Sequence, residues 1–196
     1  MQSSIPRVSV VLASMLLACA AASCDGARAQ AEEPKPTSSP EAVVAHLRAA
    51  DASREWGAML DVIAPAERGI FVWAAWFGAA YAAIAADEET VAAYEAICSE
   101  HGLDRTWLDE TSGESIGREK LAQLADKAFA DVDRAALLTD LLAFTTGERS
   151  FFGTGESDGK IAVEDERAVA TLGGTELVLR RVDGAWYWFR GGDEDE

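Results

Sequence analysis

The segment Gly113–Gly117 has the Gly-x-Ser-x-Gly spacing of a serine-hydrolase elbow. In that motif a sharp strand-to-helix turn exposes the serine, and a histidine that follows it in the chain takes its proton. Polar residues precede the motif in place of an apolar strand, and both histidines, His46 and His101, come before Ser115. The sequence therefore favours Ser115 as the N-cap of a helix over Ser115 as a nucleophile.

Cys98 and His101 lie three residues apart on one predicted helix, where a thiol and an imidazole can touch. Such a pair could serve as nucleophile and base. A zinc site would need three or four ligands, and the chain has no second cluster of cysteine and histidine. The simpler interpretation is a buried apolar thiol and a histidine that suits the dipole at a helix end. We assign no catalytic residue and no metal ligand.

A Gly-rich stretch around Gly153, Gly155 and Gly159 lies in a predicted hairpin, not between a strand and a helix. A dinucleotide-binding loop needs a strand before it and a helix after it, so this stretch is typical of turns. The many carboxylates lack the spacing of an EF-hand calcium loop. We therefore expect no bound cofactor.

The excess of acidic residues argues against nucleic acids and anionic lipids as binding partners. The chain has 34 acidic and 17 basic residues and a formal net charge of −17. Nucleic acid needs clustered basic side chains, and anionic lipid headgroups repel an acidic surface. We exclude a nucleic-acid ligand and interpret the excess charge as a means of keeping the protein dispersed.

The first thirty residues have the pattern of an export signal. Arg7 is the only charge among the first 24 residues, and an uncharged run from Val8 to Ala22 follows it. A short positive region before an apolar core is typical of secretory signals, and the run is too short to span a membrane comfortably. We therefore predict export to a bacterial periplasm or cell envelope.

Two processing sites compete within this leader. Cleavage after Ala29, in Ala27-Arg28-Ala29, would make residues 1–29 a signal peptide. Residues 16–19 resemble a bacterial lipobox, which implies a signal of residues 1–18 and lipidation of Cys19. The Ala-, Ser- and Pro-rich stretch after Cys19 suits a tether and favours the lipoprotein, whose only membrane contact would be this anchor. Residues 30–40 are a flexible linker.

Helical patterns follow from about residue 41 to residue 147: the first helices are predicted over about 41–51 and 53–63, and further starts at Pro65, at Asp87 and at Asp131 or Asp133. Residues 70–86 carry no charge, and Tyr81 is their only polar residue. We predict a tightly packed central helix that is apolar on all sides; the alternative is a dimerisation face of a membrane helix. Small residues four apart form a stripe on this helix: Ala74, Gly78, Ala82 and Ala86.

After Gly147 the pattern changes to short strands separated by two-residue turns. The fold class is therefore α+β: N-terminal helices followed by a C-terminal antiparallel β-meander, in a single domain over residues 41–190 with an acidic tail at 191–196. On the last strand Trp186 and Trp188 share a face, and we regard both as candidates for lining a pocket. The predicted strands cover residues 149–155, 160–164, 167–172, 175–182 and 185–190.

One resemblance concerns these last strands. The segments Arg167–Thr171, Leu177–Leu179 and Val182–Tyr187 resemble the closing strands of nuclear transport factor two-like (SnoaL-like) domains. The resemblance implies a cone, in which a curved sheet wraps around helices and often leaves a cavity at its mouth. The long helical part of this chain, with no strand predicted in it, departs from the family pattern, and no family catalytic residue can be placed on this sequence.

Three functions are consistent with these features. The first is an exported, envelope-associated, non-enzymatic binding or accessory domain. The second is a small-molecule enzyme of the SnoaL-like type, with a carboxylate or His46 in a pocket of the curved sheet. The third is a structural envelope protein that acts through the small-residue face of the central helix. A buried ionisable side chain in a closed apolar pocket would favour the enzyme.

Overall fold

The computed structural model describes residues 35–84, 86–103, 117–153 and 160–190. The described residues all belong to one compact unit, which begins at Pro34. This unit has helices followed by a four-stranded antiparallel sheet, which confirms the α+β class. The predictions for Cys19, Ala29 and the tail concern positions outside the described residues. Ser115 also lies outside them, and the helix predicted to begin there has Gly117 as its N-cap.

Five α-helices and two short 3₁₀ helices precede the sheet among the described residues. None of these helices is both long enough and apolar enough to cross a membrane. The helices are α1 (Pro40–Ser53), a 3₁₀ helix at Trp56–Asp61, a 3₁₀ turn at Pro65–Glu67, α2 (Arg68–Ile84), α3 (Glu88–Glu100), α4 (Arg118–Ala128) and α5 (Arg134–Thr146).

Short polar side chains cap the starts of α3 and α5, as the sequence predicts. The carboxylate of Asp87 accepts a hydrogen bond from the backbone N–H of Thr90 at 2.9 Å and starts α3. Of the two candidates for α5, Asp133 is the cap and accepts from two backbone N–H groups. Gly147, with φ at 60°, ends α5. These ends depend on local geometry alone, so the pattern is enough to find them.

The predicted helix over residues 53–63 is wrong, because only the 3₁₀ helix at Trp56–Asp61 forms there. The backbone N–H of Gly57 donates to Oγ1 of Thr139 on α5 at 2.9 Å. A tertiary contact thus satisfies a backbone donor near the start of the segment and holds it against α5. A 3₁₀ turn is the tighter geometry that short connecting pieces commonly adopt.

The first predicted strand is also wrong, because residues 149–153 are irregular; residues 154 and 155 lie outside the described part. The backbone N–H groups of Phe151 and Phe152 donate to the carboxylate of Asp51, at 2.7 and 3.3 Å. These two N–H groups therefore bond to α1 and do not pair with a neighbouring strand. The sequence pattern could not reveal a partner one hundred residues away.

The sheet has the order β1-β2-β3-β4, with every pair antiparallel. Burial alternates along β2 and β4, so one face packs on the helices and the other is half-exposed. The buried face includes Leu177, Leu179, Trp186 and Trp188. The strands are β1 (Ile161–Glu164), β2 (Arg167–Leu172), β3 (Thr175–Val182) and β4 (Ala185–Phe189).

The outer edge of β4 is covered by chain that precedes α2. The N–H of Trp188 donates to the carbonyl of Val62 at 2.7 Å, and the N–H of Ala64 donates to the carbonyl of Trp188 at 3.3 Å. The N–H of Trp186 donates to the carbonyl of Thr37 at 2.8 Å. These bonds join the sheet to the helical layer and remove an edge that could otherwise pair with other chains.

Candidate functional site

Helix α2 is buried on one side only, so the prediction of a helix packed on all sides is wrong. Helices α3, α4 and α5 contact the side that carries Val72, Trp76 and Ala83. On the opposite side Phe77 is 44% exposed, Tyr81 66% and Ile84 77%. An uncharged helix has no polar stripe to mark its solvent side, and so the sequence could not show which side the fold leaves open.

We define the α2 face as the exposed side of this helix: Ala74, Phe77, Gly78, Tyr81, Ala82 and Ile84. Its bulky members form a ridge, in which the rings of Phe77 and Tyr81 lie 5.4 Å apart. Its small members, Ala74, Gly78 and Ala82, form a furrow beside the ridge. No atom lies within 4 Å of the position that a Cβ at Gly78 would take. The predicted small stripe therefore lies open at Gly78, and its last predicted member, Ala86, lies beyond the end of α2.

The furrow is the floor of a groove of about 250 Å³. Leu142 and Thr145 of α5 form its second wall, and Phe71, Phe151 and Arg190 lie at one end. The walls are thus two helices, a shape that can receive a third helix. Phe151 and Arg190 also line a second groove, of about 400 Å³, at the end of the sheet.

A cationic side chain lies near one end of α2, and an acidic cluster lies beyond the other end. Near its first turn the guanidinium of Arg190 lies 5.4 Å from the ring centroid of Phe71. The backbone N–H of Arg190 donates at 3.2 Å to Oε2 of the buried Glu67, whose other oxygen pairs with Arg118. Just beyond its last turn, the three residues Asp87–Glu89 are all acidic and exposed. The α2 face therefore runs from a cation to an acidic cluster.

Asp87 keeps its charge at neutral pH. The backbone N–H of Thr90 and then its hydroxyl, which donates at 2.7 Å, hold the pKa of Asp87 below its usual value. Hydrogen bonds to a carboxylate favour the ionised form, and a negative charge also suits the start of α3. The acidic end of the α2 face is therefore a fixed electrostatic feature.

The pocket-lining candidates are separated by the fold. Trp188 lines the second groove together with Phe152, Val178 and Phe189. Trp186 lies on the same face of β4 and is buried in the core. The ionisable residues that line this groove are Glu176 and Arg190, and both are exposed.

His46, His101 and Cys98 line neither of these two grooves, but the partners of the two histidines, Ala58 and Asp140, line a third and shallower groove of about 390 Å³. Nε2 of His46 lies 2.8 Å from the carbonyl oxygen of Ala58. His101 pairs with Asp140 at 2.8 Å, one helical turn from the buried Cys98. No three or more histidine, cysteine or acidic side chains gather into a metal-binding group in the part of the chain that the structure describes.

Replacing Gly78 by alanine is expected to stabilise the domain by about 1 kcal/mol, because glycine is a poor helix former and the added methyl group meets open space. A domain of this size should show a rise in melting temperature of about 2 to 4 °C by circular dichroism. A lower melting temperature would contradict the open position of Gly78.

The sequence did not predict three parts of this site: the exposure of the ridge, the buried Glu67, and the approach of Arg190 to Phe71. Each depends on contacts between residues distant in the chain. The only local signal was the regular spacing of small residues on an uncharged helix. No family model, no curated protein and no solved structure matches this chain.

Proposed function

We propose that this protein is an exported, envelope-associated accessory domain that acts by binding a partner through the α2 face. The observation that carries the proposal is the exposure of Phe77, Tyr81 and Ile84 along one side of one helix. Single apolar side chains on a surface need no explanation, but a contiguous ridge beside an apolar groove is typical of an interaction site. The leader of residues 1–29 supports export.

The composition of the two grooves favours binding over catalysis. An enzyme of the SnoaL-like type would need an ionisable side chain whose pKa is perturbed by an enclosed pocket. Both grooves are open to solvent, and the ionisable residues among their lining, Glu176 and Arg190, are exposed. His46, the histidine considered for that role, lines neither groove, and the third groove, which its partner Ala58 lines, is shallow and wide open to solvent.

Photo-crosslinking in cells tests this proposal. A photoreactive amino acid replaces Tyr81 in the full chain, and the matched control carries it at Val163, which is 51% exposed on β1. We expect crosslinked products from position 81 and none from position 163, because only the α2 face is covered in the cell. Absence of any product from position 81 would contradict a binding function.

The same cells test the export part of the proposal. Fractionation followed by mass spectrometry of the N-terminus should find a processed chain in the envelope or periplasm. A lipid on Cys19 would identify the tethered form, and an N-terminus at Gln30 would identify the free form. Full-length chain in the cytosol would contradict export.

A further inference from the structure

We infer that the partner at the α2 face is the α2 face of a second copy of this chain, in an antiparallel arrangement with a two-fold axis near Gly78. This inference rests on the proposed function, because it names the occupant of the same surface. Three properties of the face support it: its shape, its charges and its length. The shape and the charges are each complementary to themselves after a two-fold rotation. The length keeps the charges of one copy too far apart to pair with each other.

The shape of the face pairs a projection with a depression. The ridge of Phe77, Tyr81 and Ile84 lies beside the furrow of Ala74, Gly78 and Ala82. Helices pack when the ridge of one enters the groove of the other, and a two-fold axis makes both contacts at once. Small residues in the furrow let the two backbones approach closely. The apolar side chains of the ridge would then be buried, and this burial is the main driving force for association.

The charges determine the direction of packing. Arg190 lies at the Phe71 end of α2, and Asp87–Glu89 lie at the Ile84 end. In an antiparallel pair, Arg190 of each copy faces the acidic cluster of the other copy. A parallel pair would place like charges together, which costs affinity. The antiparallel direction also aligns the two helix dipoles favourably.

The length of α2 prevents the same charges from pairing within one copy. Phe71 and Ile84 are thirteen residues apart on one helix, which corresponds to about 20 Å. That span exceeds the reach of an ion pair and the screening length of about 8 Å at physiological salt. Gly78 lies near the midpoint, where the two helices would cross. Any electrostatic coupling between Arg190 and the acidic cluster must therefore act between copies.

The size of the face and the net charge predict a weak dimer. The face is one side of one helix, so the buried area falls among small, transient interfaces. Each copy carries a net charge of −17, and this long-range repulsion opposes association until salt screens it. We expect a dissociation constant in the micromolar range at physiological salt.

A charge exchange tests the pairing. In one variant Arg190→Glu reverses the cation, and in the other Glu88→Lys and Glu89→Lys together reverse the acidic cluster while Asp87 keeps its capping role. By sedimentation of the processed chain from exporting cells, we expect each variant alone to self-associate about tenfold more weakly than wild type. The Lys variant is the sharper test, because it reduces the repulsive net charge and yet should dimerise less.

Mixing the two variants should restore association. In the mixed pair, the glutamate introduced at position 190 of one copy meets the two introduced lysines of the other, and Arg190 of the second copy meets the native acidic residues of the first. Native mass spectrometry separates the two homodimers and the heterodimer by mass. We expect the heterodimer to predominate at equal concentrations. A random distribution of the three dimers would overturn the antiparallel pairing.

Gly78→Leu tests whether the furrow is needed for self-association. The thermal stability of the same variant is the control for its folding. The leucine side chain enters space that no atom of the chain occupies within 4 Å of its Cβ, so thermal stability should be kept or raised. Self-association should be lost, because the side chain fills the furrow that receives the ridge. A Gly78→Leu variant that dimerises as wild type does would overturn the inference.

The photo-crosslinking result separates this inference from the proposed function. A product from position 81 with twice the mass of the chain supports both. A product of another mass, with a wild-type chain that stays monomeric at about 100 micromolar, overturns the second-copy inference and leaves the binding function standing. The absence of any product from position 81 overturns both.

Discussion

Asp51→Ala is expected to lower the free energy of unfolding by about 2 to 4 kcal/mol, one of the two largest effects that we predict. The carboxylate of Asp51 accepts four hydrogen bonds: three tie the end of α1 to the segment at 150–152, and one ties it to the 3₁₀ helix that follows α1. The donors are Nε1 of Trp56 at 2.9 Å, the hydroxyl of Ser150, and the backbone N–H groups of Phe151 and Phe152.

The cost arises from the donors that the substitution leaves behind. The ring of Trp56 and the side chain of Phe152 are buried, so water can replace the lost acceptor only in part. A buried donor without a partner costs about 1 to 3 kcal/mol, and the four bonds are not additive because they share one carboxylate. Phe152 contacts Trp188, at 5.7 Å between ring centroids, so loosening the segment should also disturb the end of the sheet.

The contribution of Asp51 should depend on pH with a definite sign. Partial burial acts to raise the pKa of Asp51, but the hydrogen bonds from Ser150, Trp56, Phe151 and Phe152 outweigh it and hold the pKa below the usual 3.8. The folded state therefore binds the proton less readily than the unfolded chain. The stabilisation is present above pH 3.8 and is lost as the pH falls through the folded pKa.

Urea unfolding at several pH values measures the loss of stability in Asp51→Ala and the pH dependence of the contribution of Asp51. Asp51→Asn keeps the size of the side chain and removes its charge, so its difference in stability from wild type should be constant near neutral pH and shrink as the pH falls below 3.8. The matched control is Asp61→Ala, where the carboxylate is 66% exposed and lies 3.7 Å from His46. We expect this control to change stability by less than about 1 kcal/mol. Equal losses for Asp51→Ala and Asp61→Ala would contradict the hub role of Asp51.

Gly57→Ala is expected to cost about 3 kcal/mol, because the added methyl group has no space. A Cβ at Gly57 would lie 2.3 Å from the carbonyl oxygen of Ala135 and 2.9 Å from its Cα. Both atoms belong to the backbone of α5, which cannot move aside as a flexible side chain can. The 3₁₀ helix would have to shift away from α5, and the hydrogen bond from Gly57 to Thr139 would weaken.

The comparison with Gly78→Ala makes this prediction specific. Both variants add one methyl group to a glycine in a helical segment, and they differ in what surrounds it. Calorimetry should show opposite signs: a lower melting temperature for Gly57→Ala and a higher one for Gly78→Ala. A neutral Gly57→Ala would mean that the 3₁₀ helix and α5 are not in close contact.

Local features of the chain could be predicted from the sequence because their causes are local. Asp87 and Asp133 begin helices and Gly147 ends one, through bonds and dihedral angles within a few residues. The turn at Asp183-Gly184, where both residues have positive φ, closes a hairpin for the same reason. The change from helical to strand periodicity after Gly147 was enough to predict the α+β class.

The two wrong segments share a physical cause. The helix predicted over residues 53–63 and the strand predicted over residues 149–155 both have backbone N–H groups that bond to distant side chains. Thr139 accepts from Gly57, and Asp51 accepts from Phe151 and Phe152. Periodicity describes how side chains are distributed between two faces, but it carries no information about a backbone donor that leaves its own element.

The sequence by itself determined the class of the fold, the ends of its helices, its hairpins and its acidic character, because these follow from composition and from short-range bonding. Only the tertiary structure decided that one side of α2 faces solvent. An uncharged helix has no preferred side in water, and so its burial depends on which neighbours the rest of the chain can supply. Here α3, α4 and α5 cover one side, and the ridge of Phe77, Tyr81 and Ile84 stays exposed.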